Sequence, residues 1–131
     1  MDELPIQSGD DVVRIRQHVR NAAAASGLSL VDQTKLVTAA SELARNTLVH
    51  GGGGAVRAEV VKSPDGRTGV KLHFTDEGPG IADIELALQD GWSSGSGLGL
   101  GLSGSRRLVD EFELNSKPGS GTTVVVVKWS R

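Results

Sequence analysis

The chain contains no cysteine and no tyrosine, and only two phenylalanines and two tryptophans. Without cysteine there is neither a disulfide framework nor a thiolate metal site. So few rings leave little on which to stack nucleobases, which argues against a single-stranded nucleic-acid binder. A formal charge of −2 supplies no general attraction to nucleic acid or to an anionic membrane. No apolar run approaches a membrane span, and the first residues lack the apolar core of a signal peptide. The three histidines stand apart, at positions 18, 50 and 73. These absences predict a cytoplasmic protein with no nucleic-acid or membrane partner, folded as a single domain over residues 1–131.

Glycine is what the chain has in excess. Gly95, Gly97, Gly99 and Gly101 alternate with other residues, and Leu98, Leu100 and Leu102 follow three of them. A packed helix or strand would not tolerate that density, because each glycine costs backbone entropy and offers no side chain to bury. The run reads as a loop whose main chain approaches something closely. A helical pattern follows over 102–112, with Leu102, Leu108, Val109 and Phe112 apolar. A glycine loop opening into a helix aims free N–H groups and the positive end of the helix dipole at one spot, which suits a phosphate. Gly99-x-Gly101-x-x-Gly104 matches the dinucleotide fingerprint by letter, but no buried strand precedes it and no acid follows over 118–125. A P-loop is absent as well.

In chain order, a short strand over 1–7 gives way to a helix that opens on Asp10 and Asp11 and ends at Gly27. Its apolar face is Val12, Val13, Ile15, Val19 and Ala22 to Ala24. Ser29 and Asp32 form a variant capping box for a second helix that runs to about His50. Its stripe is Leu36, Val37, Ala40, Leu43, Ala44, Thr47 and Leu48. Along the stripe's edge Glu42, Asn46 and His50 fall at intervals of four, one above another on the helix surface. A carboxylate and a carboxamide one turn apart suit a general base and a Mg²⁺ ligand, and equally a solvated helix face. Strands follow over 55–62 and 69–76, around a turn at 63–68. The second alternates Val70, Leu72, Phe74 with Lys71, His73, Thr75. It runs into Asp76-Glu-Gly78-Pro-Gly80, where the acid could accept a hydrogen bond from an exocyclic amine such as adenine N6, or could simply occupy a surface turn. A short helix over 81–89, a loop over 90–96 and strands at 113–116 and 122–129 complete the pattern. The valine run 124–127 suits a central strand covered on both faces or an edge covered by a partner.

Three segments in this order resemble the GHKL (Bergerat-fold) ATPase and kinase superfamily. Glu42-Leu-Ala-Arg-Asn46 resembles its N box, Asp76-Glu-Gly78-Pro-Gly80 its D-x-G-x-G box, and Gly97-Leu-Gly99-Leu-Gly101 its second glycine box. Gly119-Ser-Gly121-Thr122 resembles the turn before its last strand. The likeness is greatest to RsbT-type serine/threonine switch kinases of bacterial partner-switching and stressosome modules. It implies an α+β fold, the Bergerat two-layer α/β sandwich, with a mixed, mostly antiparallel sheet and helices on one face. It further implies ATP and Mg²⁺, with Glu42 as the catalytic base, Asn46 as the metal ligand and Asp76 as the adenine reader. Gly78, Gly80 and Thr122 would line the adenine pocket, and Gly97, Gly99 and Gly101 would wrap the phosphates. The implied acceptor is a serine or threonine of a STAS-domain antagonist, with a phosphatase or a sigma factor downstream. Two other readings use the same boxes: an ATP-dependent anti-sigma factor, and an ATP-binding adaptor without catalysis.

Overall fold

The alternating apolar residues of the middle of the chain form one face of a sheet, and two amphipathic helices cover that face. Residues 3–78, 100–116 and 119–131 are described in this computed structural model, with Leu100 and Gly101 described by their backbone alone. The strands are β1 (Glu3–Ile6), β2 (Gly54–Lys62), β3 (Thr68–Asp76), β4 (Glu111–Ser116) and β5 (Thr122–Trp129). They lie in the order β1-β2-β3-β5-β4, and every ladder described is antiparallel, without the parallel pairing a mixed sheet would contain. The helices are α1 (Gly9–Ala25), α2 (Leu30–Val49) and α3 (Leu100–Leu108). The expected helix over 81–89 and loop over 90–96 lie outside the described residues. None of the described helices is long and apolar enough to cross a membrane.

Local chemistry sets the helix ends. The Asp11 carboxylate turns back to accept the backbone N–H of Gln7 at 2.8 Å and of Ser8 at 3.2 Å, satisfying donors at the start of α1. At its other end Gly27 takes φ +81°, and the N–H groups of Leu28 and Gly27 reach back to the carbonyls of Ala23 and Ala24. That reverse turn buries Leu28 against the helix it closes. The Ser29 hydroxyl accepts the Asp32 N–H at 3.1 Å to begin α2. The capping box is only half made, because the Asp32 carboxylate faces Lys128 and Arg131 instead.

The core lies between α1, α2 and the inner face of the sheet. Phe74, Leu72, Val70 and Val126 meet Leu36, Leu43, Ile15 and Val19 there, each at most 1 % exposed. Burying side chains of this size is worth about 1.5–3 kcal/mol apiece. Two expectations fail at this level. Val13 is 61 % exposed, because it lies about 100° round the helix from Val12, on the side away from Ile15 and Val19. The helix expected over 102–112 stops at Leu108, and Phe112 belongs to β4, packed at the core's margin from a strand.

Asp110, in the turn between α3 and β4, is the reason for that stop. Its carboxylate accepts the Trp129 N–H at 2.7 Å and meets Lys128 Nζ at 3.4 Å and an Arg131 guanidinium nitrogen at 2.7 Å. Lys128 is buried, with Asp32 as its second carboxylate at 3.6 Å. Burial by itself pushes the Asp110 carboxyl up, but the Trp129 N–H and the two cations outweigh it and hold the group below its ordinary 3.8. A carboxyl lowered on folding contributes stability that is fully present above its unfolded value and is lost as pH falls through the folded one. Asp110→Asn should therefore cost about 1–3 kcal/mol of unfolding free energy at pH 7. In urea titrations the gap between variant and wild type should begin to narrow as the pH falls below 3.8 and close only below the lowered folded value.

Candidate active site

The last turns of α2, the end of β3 and the start of β5 meet at one pole of the molecule. Antiparallel register places Asp76 opposite Thr122 on one side and Gly54 on the other. Asp76 Oδ1 accepts the backbone N–H of Gly78 at 2.9 Å and of Thr122 at 3.2 Å. The carboxylate is thereby held in one orientation, with Oδ2 beside the Cα of Gly51, the second residue after α2. A Cβ at Gly51 would fall within the space of the Asp76 side chain, and one at Gly121 would overlap the Asp76 carbonyl. Gly121 also takes φ +83°, a conformation that side chains disfavour. Both glycines are thus required by close approach.

Thr122 contributes through its main chain. Its hydroxyl lies 2.9 Å from Ser116 Oγ, which donates to the Gly121 carbonyl at 3.1 Å. Sequence reasoning placed Thr122 at the pocket without separating these roles, and it ended α2 near His50 without a part for Gly51 in seating Asp76. The signal available for Gly51 was its place directly after the line of Glu42, Asn46 and His50.

On α2, Glu42 and Asn46 are half-buried, one turn apart as their spacing requires. The Asn46 amide is the most unusual group here. Both Oδ1 and Nδ2 are buried, and neither has a hydrogen-bond partner among the described residues. Leaving one such buried polar atom unsatisfied costs about 1–3 kcal/mol, so the pair suits a ligand that brings both a donor and an acceptor. A metal ion with its water shell supplies both. α3 packs against α2 and carries two further buried hydroxyls without partners among the described residues, those of Ser103 and Ser105. Nothing in the residue pattern pointed to these two.

Gly78 and Thr122 thus stand with Asp76, while Gly80, Gly97 and Gly99 lie outside the described residues. Gly101 is inside α3 and not in a loop, because the helix already begins at Leu100. Gly104 is also helical, with open space where its side chain would be. Among the described residues no group of three histidines or acids could hold a metal on its own. A hard cation that takes most of its ligands from phosphate and water needs no such group.

Residues 31–130 match the family described as histidine kinase-, DNA gyrase B- and HSP90-like ATPases. The chain belongs to that family, the GHKL superfamily of the sequence reading. Among curated proteins it is 46% identical over 121 residues to the serine/threonine-protein kinase RsbT of Bacillus subtilis, covering 92% of this chain and 90% of that one. It is 32% identical over 95 residues to the anti-sigma F factor of Thermoanaerobacter sp. strain X514, covering 70% of this chain and 66% of the relative. Among solved structures, the RsbU and RsbW domains of a Mycobacterium tuberculosis protein superpose with a TM-score of 0.65 at 24% identity, over all of this chain and 33% of that one. The mycobacterial sensor histidine kinase MprB gives 0.61 at 19% identity, over 99% and 97%. These two structures share the fold.

The contact of Gly51 with Asp76 yields a test. Gly51→Ala should push the Asp76 carboxylate from its seat and weaken ATP binding by roughly 10- to 150-fold, the worth of one buried hydrogen bond to a charged group. Isothermal titration with ATP, beside a circular-dichroism spectrum that matches wild type, would separate this from a folding defect.

Proposed function

We propose that this chain is a serine/threonine-protein kinase of a bacterial partner-switching module. It would act in the cytoplasm, transferring the γ-phosphate of Mg-ATP to a serine or threonine of a STAS-domain antagonist. The observation that carries the reading is the Asn46 amide, buried and unsatisfied one turn from a half-buried carboxylate. The likeness to the kinase RsbT, over nearly the whole of both chains, selects protein phosphorylation among the activities of the family.

Each residue has a part that its chemistry allows. Asp76 Oδ1 is occupied by two N–H groups, and the carboxylate has capacity left to accept from adenine N6. Asn46 Oδ1 is a hard oxygen suited to Mg²⁺, which when bound offsets charge on the phosphates. Gly97, Gly99, Gly101 and the start of α3 would hold the phosphate oxygens, with Gly80 and Thr122 beside the base. Glu42 accepts a hydrogen bond from the acceptor hydroxyl and takes its proton as that oxygen bonds to the γ-phosphorus. The bond to the β-phosphate oxygen breaks, ADP departs and the proton passes from Glu42 to water. Phosphoryl transfer asks mainly for such positioning, so no strongly perturbed base is required.

Removing Glu42 separates catalysis from binding. Glu42→Ala should leave Mg-ATP affinity within a few-fold and slow single-turnover transfer to the STAS acceptor by roughly 10²–10⁴. Asn46→Ala should weaken Mg-ATP binding itself and lose transfer in consequence. Undiminished transfer by Glu42→Ala would remove the base. Absence of transfer by wild type, with tight sigma-factor binding, would move the chain to the anti-sigma reading that its 32% identical relative represents. In a calorimetric comparison of ATP with GTP, Asp76→Asn should lose about 1–3 kcal/mol of ATP affinity and most of the discrimination.

A further inference from the structure

One side of α2 packs on α1 and the sheet. Away from it, Val31, Lys35, Thr38, Glu42, Arg45 and Val49 follow one another at intervals of four and three. That alternation forms a straight seam on a helix surface, the kind another protein element lies along. All but Glu42 are exposed, and Glu42 is half-buried. Val31 and Val49, at the two ends, are 64% and 53% exposed, two of five large apolar side chains so open among the described residues. Between them Lys35 and Arg45 form no ion pair among the described residues. The seam spans about 27 Å, with Lys35 about 10 Å and Arg45 about 4.5 Å along the axis from Glu42 on opposite sides.

We infer that this seam is the docking surface for the protein that presents the acceptor hydroxyl. Its occupant has acidic side chains on both sides of a serine or threonine and apolar side chains beyond them. The inference rests on the kinase reading for the role of Glu42 and adds the surface that selects the acceptor. An occupant of this charge meets both cations and leaves Glu42 facing the hydroxyl, whereas a basic segment is repelled at two points. A second copy of the seam fits poorly. Antiparallel pairing that sets Val31 against Val49 also sets Arg45 against Lys35, and parallel pairing sets each cation against itself.

The test uses this chain and a STAS-domain protein of the same organism as acceptor. Lys35→Glu and Arg45→Glu should each raise KM for that acceptor roughly tenfold, with kcat at saturating acceptor within about threefold and Mg-ATP affinity unchanged. Arg16→Glu, the same charge reversal on the exposed side of α1, should leave KM where it was. Reversing an acidic residue beside the acceptor serine to lysine should restore the Arg45→Glu variant. KM unmoved by either seam variant, or raised equally by Arg16→Glu, would overturn the inference while leaving the kinase reading intact. If wild type transfers phosphate to no STAS-domain protein, the kinase reading falls. The seam is then decided by binding of the same protein in the presence of a non-hydrolysable ATP analogue. Loss of that binding in Arg45→Glu upholds the surface, and its retention overturns it.

Discussion

The clasp on the Asp76 carboxylate is the constraint that the site depends on. Two main-chain donors fix one oxygen, and a glycine immediately past α2 gives the other room. The clasp forms only if α2 ends where it does and if β3 and β5 pair in one register. A slip of β5 by a single residue would carry Thr122 away from Asp76 and turn that strand's core residues outward. The valines and leucines that bury the inner face thus also aim a carboxylate at the pole.

α2 serves its purposes from two sides. One carries the buried stripe, and the other carries the exposed seam with Glu42 within it and Asn46 at its edge. Helical periodicity separates the two, so the stripe and the seam can vary with little effect on each other. Asn46 sits at the border between core and site and carries an energetic cost there. Its unsatisfied amide makes the ligand-free molecule less stable than a hydrophobic residue would, by about 1–3 kcal/mol. A ligand that satisfies both atoms recovers that energy as affinity.

Much of this was readable from the residues, where the determinants were local. Alternation in Val70, Leu72 and Phe74 located β3 to within one residue, and Gly27 marked the end of α1. The valine run of β5 is interior to the sheet, one of the two positions its pattern allowed. What failed was settled by partners distant in sequence. The helical spacing of Leu102, Leu108, Val109 and Phe112 continued past the true end of α3, because Trp129 and Lys128 capture Asp110 and start β4. Asp32 forgoes its half of the capping box for Lys128 in the same cluster. At the site, the spacing of Glu42, Asn46 and Asp76 was visible, but the seating of Asp76 on Gly51 and the use of the Thr122 N–H were not. Those depend on how three distant segments come together, which no window of the sequence contains.

The position of β5 bears on how such a molecule is made. It is the last of the five described strands in chain order, yet it lies between β3 and β4. On the ribosome, β4 emerges with no neighbour to pair with, and β3 waits with one edge bare. A hairpin of β2 and β3 can form early, but the second half of the sheet cannot grow strand by strand from it. Synthesis of β5 closes the sheet, caps the exposed edge of β3 and completes the Asp76 clasp together. A nascent chain caught before that point has an open edge and no seated carboxylate, so the pole is assembled only with the finished sheet.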